Sequence, residues 1–200
     1  MIDLEKDYVL EDDRVRLTPL TSADFAHLEK FSIHEPDLWE YSLMQAGSPE
    51  KMKHYLEQAL EGRRNKHSYP FLVFDKQKGE YAGSTRLYDI QPTHSSTQLG
   101  FTWYGKEFQG TGINPHCKHL LLGLCFDVWQ LHRVEFRADA ENKRSINAMK
   151  RIGCVEEGIL RSNTFKTDGS RRNSIVLSIL RTEWQQSVEQ KIKDLFERPR

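Results

Sequence analysis

The residues best suited to chemistry form a short run, Gln109 to Pro115, reading QGTGINP and placed just before a strongly apolar segment. Gly110 and Gly112 let the backbone adopt positive φ and approach a ligand closely. Asn114 and Pro115 suit the N-cap and first turn of the helix that follows, and because proline inside a helix costs about 3 kcal/mol, the helix must begin close to this point. The unpaired N–H groups of that first turn carry the positive end of the helix dipole, so a phosphate can settle there without a basic side chain. A glycine turn ahead of an ordinary helix has the same appearance, and the loop alone does not choose between the two.

Other reactive side chains are sparse. His116 and His119 lie three apart on the same helix, but no third ligand is in view and no HExxH or CxxC pattern occurs, so no metal is expected. Cys117, Cys125 and Cys154 are odd in number and sit in apolar stretches, which reads as reduced core thiols. Cys117 has no positioned acid–base partner that would make it a nucleophile. Arg86, in GSTRLYD, suits either an acceptor-binding role or a paired strand charge. The glycine loop lacks the GK[ST] of a magnesium-dependent phosphate loop, which argues against phosphoryl transfer.

Composition narrows the class. Lys plus Arg and Asp plus Glu balance at 29 each, so no net field favours nucleic acid or an anionic membrane. No apolar run approaches the roughly 18 residues of a membrane span, and the opening MIDLEKDYVLEDD is too charged for a secretory signal, which points to the cytoplasm. Two hundred residues suit one domain spanning 1–200, with 181–200 as a helical extension.

The elements that must position the loop follow from periodicity. Residues 14–20 alternate as a half-buried strand. Thr21 with Asp24 resembles a capping box ahead of a helix to about 32, and Ser48–Pro49 opens a second helix with Met52, Tyr55, Leu56, Ala59 and Leu60 at helical spacing. Between them, residues 33–47 are irregular and aromatic, a composition suited to lining a site. Residues 70–75 and 80–90 read as a hairpin, and 97–104 as a further strand. A helix over 114–129 carries Cys117, Leu121, Leu124, Cys125 and Val128 on one stripe. Next come a strand over 132–139, a short helix over 145–152 ending at Gly153, and two strands around Asp168–Gly169. The tail from Arg181 carries Trp184, Val188, Ile192 and Leu195 on one side. Strand, helix, strand across 97–139 implies a parallel pair, hence an α+β domain with a mixed sheet.

From Leu99 to Trp184 the runs GFTWYGKEFQGTGIN, HRVEFRADAENKRSINAMKRIGC, EEGILR, DGSRR and SIL resemble, in order and spacing, the GNAT acyl-CoA N-acyltransferase superfamily. Within it they are most similar to the RimJ/RimL-like branch, which acetylates the N-terminal alanine or serine of ribosomal proteins. The resemblance implies a twisted, mostly antiparallel sheet of about six to seven strands with a splayed parallel pair and helices on both faces. It also implies acetyl-CoA as the acetyl donor, an amine acceptor such as a ribosomal-protein or other peptide N-terminus, and direct transfer in a ternary complex. Gln109, Gly110, Thr111, Gly112, Ile113 and Asn114 match the family's pyrophosphate loop. Phe101, Thr102 and Trp103 match the splaying strand, to whose edge the pantetheine arm adds and where a backbone N–H near Thr102 or Trp103 polarises the thioester oxygen. Asn142 matches the residue that contacts the pantetheine arm, and Ser145 the hydroxyl near the sulfur. By itself Asn142 also suits a turn and Ser145 an N-cap.

Three features depart from the family pattern. Asn114 stands where the loop often ends in Gly or Ala, a change an N-cap residue accommodates; Gln98 stands where many members carry Glu; and GCVEEGIL lacks the Tyr that some relatives use as general acid. Ser145 is therefore the acid candidate, and Glu135, Glu157, His34 and Glu40 are the candidates for a base. A free α-amine, with pKa about 7.7–8.0, is roughly a tenth neutral at pH 7, whereas lysine at about 10.4 is under one part in a thousand, which favours an α-amine acceptor where no strong base is present. A chain that kept the loop and lost its acid–base residues would instead be a non-catalytic acyl-CoA-binding module.

Overall fold

The computed structural model describes residues 2–196. A single eight-stranded sheet runs through it in the order β1-β2-β3-β4-β5-β6-β8-β7. The strands are β1 (Leu10–Glu11), β2 (Val15–Pro19), β3 (Ser68–Asp75), β4 (Glu80–Gln91), β5 (Ser96–Tyr104), β6 (Arg133–Asp139), β7 (Val155–Phe165) and β8 (Arg171–Leu180). Only β5 and β6 pair in parallel; every other neighbouring pair is antiparallel. The strand beyond the expected six to seven is β1, whose two residues are too few to show an alternation.

The alternation that marked the strands is the alternation of burial. Val15 and Leu17 on β2, and Val134, Phe136 and Ala138 on β6, are buried, as are Ile175, Leu177 and Ile179 on β8. Four α-helices pack around the sheet: α1 (Phe25–His34), α2 (Pro49–Arg64), α3 (Ile113–Gly123) and α4 (Lys143–Ile152). Their placement is legible at two successive residues of β5. The Trp103 ring packs edge-on against Phe31 of α1 and Tyr55 of α2, while the Thr102 hydroxyl accepts a hydrogen bond from Lys118 of α3. Adjacent strand residues point to opposite faces, so α1 and α2 cover one face of the sheet and α3 the other.

The expected helix over 114–129 is broken. After Gly123 the chain makes a π turn over Leu124–Val128, and that wider turn delays the apolar stripe by one residue. Val128, expected inside, is exposed, and Trp129 is buried in its place. The tail is helical from Arg181 to Lys193, with Trp184, Val188, Ile192 and Leu195 buried. It packs on α3, where the Phe196 and His116 rings stack 3.8 Å apart. The last part of the expected extension, residues 197–200, lies outside the described residues.

Candidate acyl-transfer cleft

The parallel pair parts almost at once. Its register runs Ser96↔Arg133, Thr97↔Val134, Gln98↔Glu135 and then stops. Three residues on, Phe101 takes a left-handed φ of 47°, which turns β5 away from β6. The separation opens a cleft of about 740 Å³ lined from β5 by Leu99 to Tyr104 and from β6 by Phe136 to Asp139. Backbone groups that would have joined the two strands here have no ladder partner, an edge to which an extended arm carrying amides can add.

At one end of the cleft lies the glycine loop. Gly110 and Gly112 have φ of 73° and 97°, values that favour glycine over any residue with a Cβ. Gln109, Gly110 and Asn114 line the cleft, whereas Thr111, Gly112 and Ile113 do not, and the Ile113 side chain is buried in the core. The helix begins two residues earlier than expected: Gly112 is the N-cap of α3, with Asn114 and Pro115 inside its first turn. Proline is tolerated there because first-turn N–H groups have no helical acceptor. No side chain caps α3, so the N–H groups of its first turn are available to an anion. Lys106, Lys143 and Arg144 surround a side opening of about 310 Å³ beside the loop, and Arg144 Nη1 donates to Gln109 Oε1 at 2.5 Å.

Opposite the loop stands α4. Its N-cap is Asn142, whose Oδ1 accepts from the Ser145 N–H at 3.0 Å, so the helix starts at Lys143 and Ser145 sits in its first turn, not at its cap. The Asn142 amide NH2 and the Ser145 hydroxyl both remain on the cleft side, where both residues line it. Within the described residues the Ser145 Oγ makes no hydrogen bond, leaving it able to donate to an incoming group.

The floor of the cleft holds a cation that sequence reading did not single out. Lys118, on α3, is buried, lines the cleft, donates from Nζ to Thr102 Oγ1 at 2.9 Å, and lies 5.9 Å from the centroid of Phe136. Burial pushes its ammonium down to about 8. One signal was present: Lys118 falls three and four residues before Leu121 and Leu122, on the buried stripe of α3.

At the far end, Gln98 Nε2 donates to Asp89 Oδ2 at 2.8 Å, and Asp89 Oδ1 accepts from Gln91. Asp89, not singled out from the sequence, comes from β4, presented at a left-handed φ of 48°, and it lines the cleft. The four base candidates fare unequally. Glu135 is held by Arg133 and Arg137, and Glu157 by Arg133 and Ser178, with the Arg133 hydrogen bond holding the Glu157 carboxyl below its ordinary range. Neither lines the cleft, nor does His34; Glu40 does, beside the loop end. Of the segment 33–47, residues 37–43 line the cleft and the rest do not, and Arg172 of β8 bonds to it through Nη1 to the Tyr41 carbonyl at 3.3 Å.

The remaining candidates lie elsewhere. Cys117 is buried outside the cleft lining, its thiol pushed up to about 12 by burial. His116 Nδ1 pairs with Asp12 Oδ2 at 2.8 Å, whereas His119 faces Glu189 at 3.6 Å, so the two histidines do not share a site. Arg86 is a buried strand cation between the rings of Tyr55 and Phe101, with no ion-pair partner among the described residues. Among the described residues no helix is long and apolar enough to cross a membrane.

Comparison with known proteins agrees with this geometry. Residues 14–155 match the model of the acetyltransferase (GNAT) domain. The chain is 29% identical over 114 residues to YdaF of Bacillus subtilis, provisionally named a ribosomal N-acetyltransferase, a match covering 57% of this chain and 60% of that one. It is 27% identical over 106 residues to spermidine N(1)-acetyltransferase of Escherichia coli, covering 53% and 56% of the two. The chain thus spans somewhat over half the length of these curated relatives. A solved crystal structure assigned as an acetyltransferase superposes with a TM-score of 0.82 at 31% identity over 92% of both chains. With the splayed parallel pair, the glycine loop at a helix start and the matched domain all in one place, the chain belongs to the GNAT acetyltransferase family.

Proposed function

We propose that the protein moves the acetyl group of acetyl-CoA directly to a primary amine, with donor and acceptor held together in one cleft. The observation that carries this is the early parting of β5 and β6, which leaves an unpaired strand edge running from the uncapped start of α3 to the Asp89–Gln98 pair. The loop of Gln109 to Asn114 holds the diphosphate through main-chain N–H groups and the helix dipole. The edge at Phe101, Thr102 and Trp103 takes the pantetheine arm, with a peptide N–H near Thr102 or Trp103 directed at the thioester oxygen, and Asn142 steadies the arm through its amide. As the amine nitrogen bonds to the carbonyl carbon and the C–S bond breaks, Ser145 gives its proton to the leaving sulfur and regains one from the acceptor nitrogen through water. Asp89, steadied by Gln98, receives the proton that the ammonium form of the acceptor must lose first.

The acceptor that suits this site best is a peptide α-amine, including that of a ribosomal protein; a polyamine is the next class. Residues 1–200 act as one domain, the C-terminal helical tail included, and the three free thiols fit a cytoplasmic setting. Following free thiol while the protein meets acetyl-CoA and a panel of amines tests the proposal. The panel comprises peptides beginning with Ala or Ser, an N-terminally blocked lysine peptide, and spermidine. Amine-dependent thiol release is expected, fastest with the free N-termini. Saturable acetyl-CoA binding with no amine-dependent release would make the chain a binding module.

A further inference from the structure

Lys118 is the group in the cleft that the steps above leave unused, and its placement is costly. Its ammonium has one hydrogen-bond acceptor, Thr102 Oγ1, which is in turn 2.7 Å from Thr85 Oγ1. The titratable groups facing it are the Cys117 thiol on its own helix and the Cys154 thiol just beyond α4, each pushed up to about 12 by burial and therefore neutral. From β5 and β6 it meets Thr102 and the Phe136 ring, with Thr85 of β4 bonded to Thr102 behind it, none of them charged. No ion pair among the described residues includes Lys118. A buried cation without a counter-charge weakens a fold, and a methionine of similar length would fill the same space at no such cost.

What the position offers is a positive charge in the gap between the parted strands, since Thr102 is on one wall and Phe136 is the first β6 residue beyond the last parallel pair. Two of its three N–H groups have no acceptor within the described residues. We propose that Lys118 is a further catalytic residue of the acetyl transfer, its ammonium stabilising the negative charge that forms on the thioester oxygen when the amine adds and on the sulfur when the C–S bond breaks. Lys118 keeps its proton throughout, so atoms and charge balance as in the transfer itself: one C–N bond forms, one C–S bond breaks, and one proton passes from nitrogen to sulfur. A charge fixed in a water-poor gap does this without reorganising. The inference rests on the proposed transfer.

The test compares the unaltered protein with Lys118→Met over pH, using one acceptor peptide and acetyl-CoA. Because burial holds the ammonium near 8, it is charged below that pH and lost above it. The acceptor's own ionisation cancels in the ratio of the two kcat values. That ratio should be about tenfold to a hundredfold at low pH and fall towards unity as pH rises through about 8, with KM for acetyl-CoA changed little. The Met variant should also melt at a higher temperature. A ratio near unity throughout, a ratio independent of pH, or a Met variant that is less stable or fails to fold would each overturn the proposal, the last by showing that the fold itself needs the lysine. If the unaltered protein releases no thiol with any amine, the transfer falls and Lys118 with it. Transfer with a flat ratio removes Lys118 alone.

Discussion

Replacing Gly112 by Asp should separate the anion-binding role of the loop from its role in starting a helix. Gly112 is the N-cap of α3 at φ 97°, so any side chain there meets left-handed strain on the order of 1–2 kcal/mol. Aspartate is among the residues that tolerate this region best, and a carboxylate at a helix N-terminus returns roughly 0.3–1 kcal/mol through the dipole. Stability should therefore change by about 1 kcal/mol. Binding should suffer far more. An N-cap carboxylate accepts from the N–H of the second or third helical residue; the third here is Pro115, which has none, so the Asp side chain is directed to the Asn114 N–H. That amide is one the proposed function assigns to the diphosphate. A unit charge about 5 Å from the nearer phosphoryl charge repels it by about 3 kcal/mol at an effective dielectric constant near 20, or roughly two orders of magnitude in Kd. Gly112→Ala carries the strain without the charge and serves as the control. Calorimetric titration with acetyl-CoA at low and high salt should show the Asp variant at least tenfold weaker than the Ala variant, with the gap narrowing as salt rises. Equal affinities for the two variants would show that no anion sits at the start of α3.

Ser145→Ala removes a hydroxyl that has no internal partner while leaving the Asn142 cap on its N–H; kcat should fall about 10²-fold or more with KM for acetyl-CoA nearly unchanged, read by steady-state thiol release. Asp89→Asn keeps the hydrogen-bonding shape beside Gln98 but removes the charge, so kcat should fall on the acidic side of the profile, where the acceptor is an ammonium, more than on the alkaline side. Asp75 is buried against Arg14; burial alone would raise its carboxyl, but the Arg14 hydrogen bond and the N–H groups of Lys78 and Gln77 outweigh it and hold the group below its ordinary range. A depressed carboxyl stabilises above its unfolded pKa of about 4 and loses that contribution as pH falls through its folded value, so acid unfolding monitored by circular dichroism should begin below about pH 4. Arg14→Ala should lower stability at neutral pH by about 3 kcal/mol and move the acid transition upward.

Much of this fold is visible in periodicity because one face of each element is buried. Val134, Phe136 and Ala138 had to be a strand, and the stripe of Cys117, Leu121 and Leu124 a helix, whatever lay between them. The parallel pair followed from the order of those elements. What stayed hidden depends on backbone detail that several sequences share. The start of α3 was assigned to Asn114 on side-chain preference, yet the backbone leaves the left-handed region at Gly112, and a proline in the first turn costs nothing that marks the difference. The π turn after Gly123 moved burial from Val128 to Trp129 with no sequence signature of its own. Residues that line the cleft from contiguous motifs, Gln109, Gly110, Asn114 and Ser145, were legible as neighbours. Asp89 was not, because it reaches the cleft from β4 through a register shift between Tyr88 and Gln91 and pairs with Gln98 across strands. Lys118 carries no motif of its own, although its spacing from Leu121 and Leu122 puts it on the buried stripe.

Charges of both signs flank the cleft, with Asp37, Glu40 and Glu141 among the cations at its loop end. Lys106, Lys143 and Arg144 cluster where β5 ends in the glycine loop, and Asp89 lies where β5 begins, beside Gln98. Six residues of strand separate Gln98 from Tyr104, a span of about 20 Å at 3.3 Å per residue. The same arrangement limits how hard the acceptor's proton is to remove. A single aspartate is a weak base, so the cost of generating free amine falls mainly on the acceptor's own pKa. That cost is about 1 kcal/mol for an α-amine at pH 7 and over 4 kcal/mol for a lysine side chain. Positioning contributes on the order of 7–11 kcal/mol and a directed N–H about 3–4 kcal/mol to either acceptor alike, so the difference in ionisation survives into the rate. Under the proposed transfer, the acceptor's own ionisation therefore favours a chain terminus over a lysine side chain.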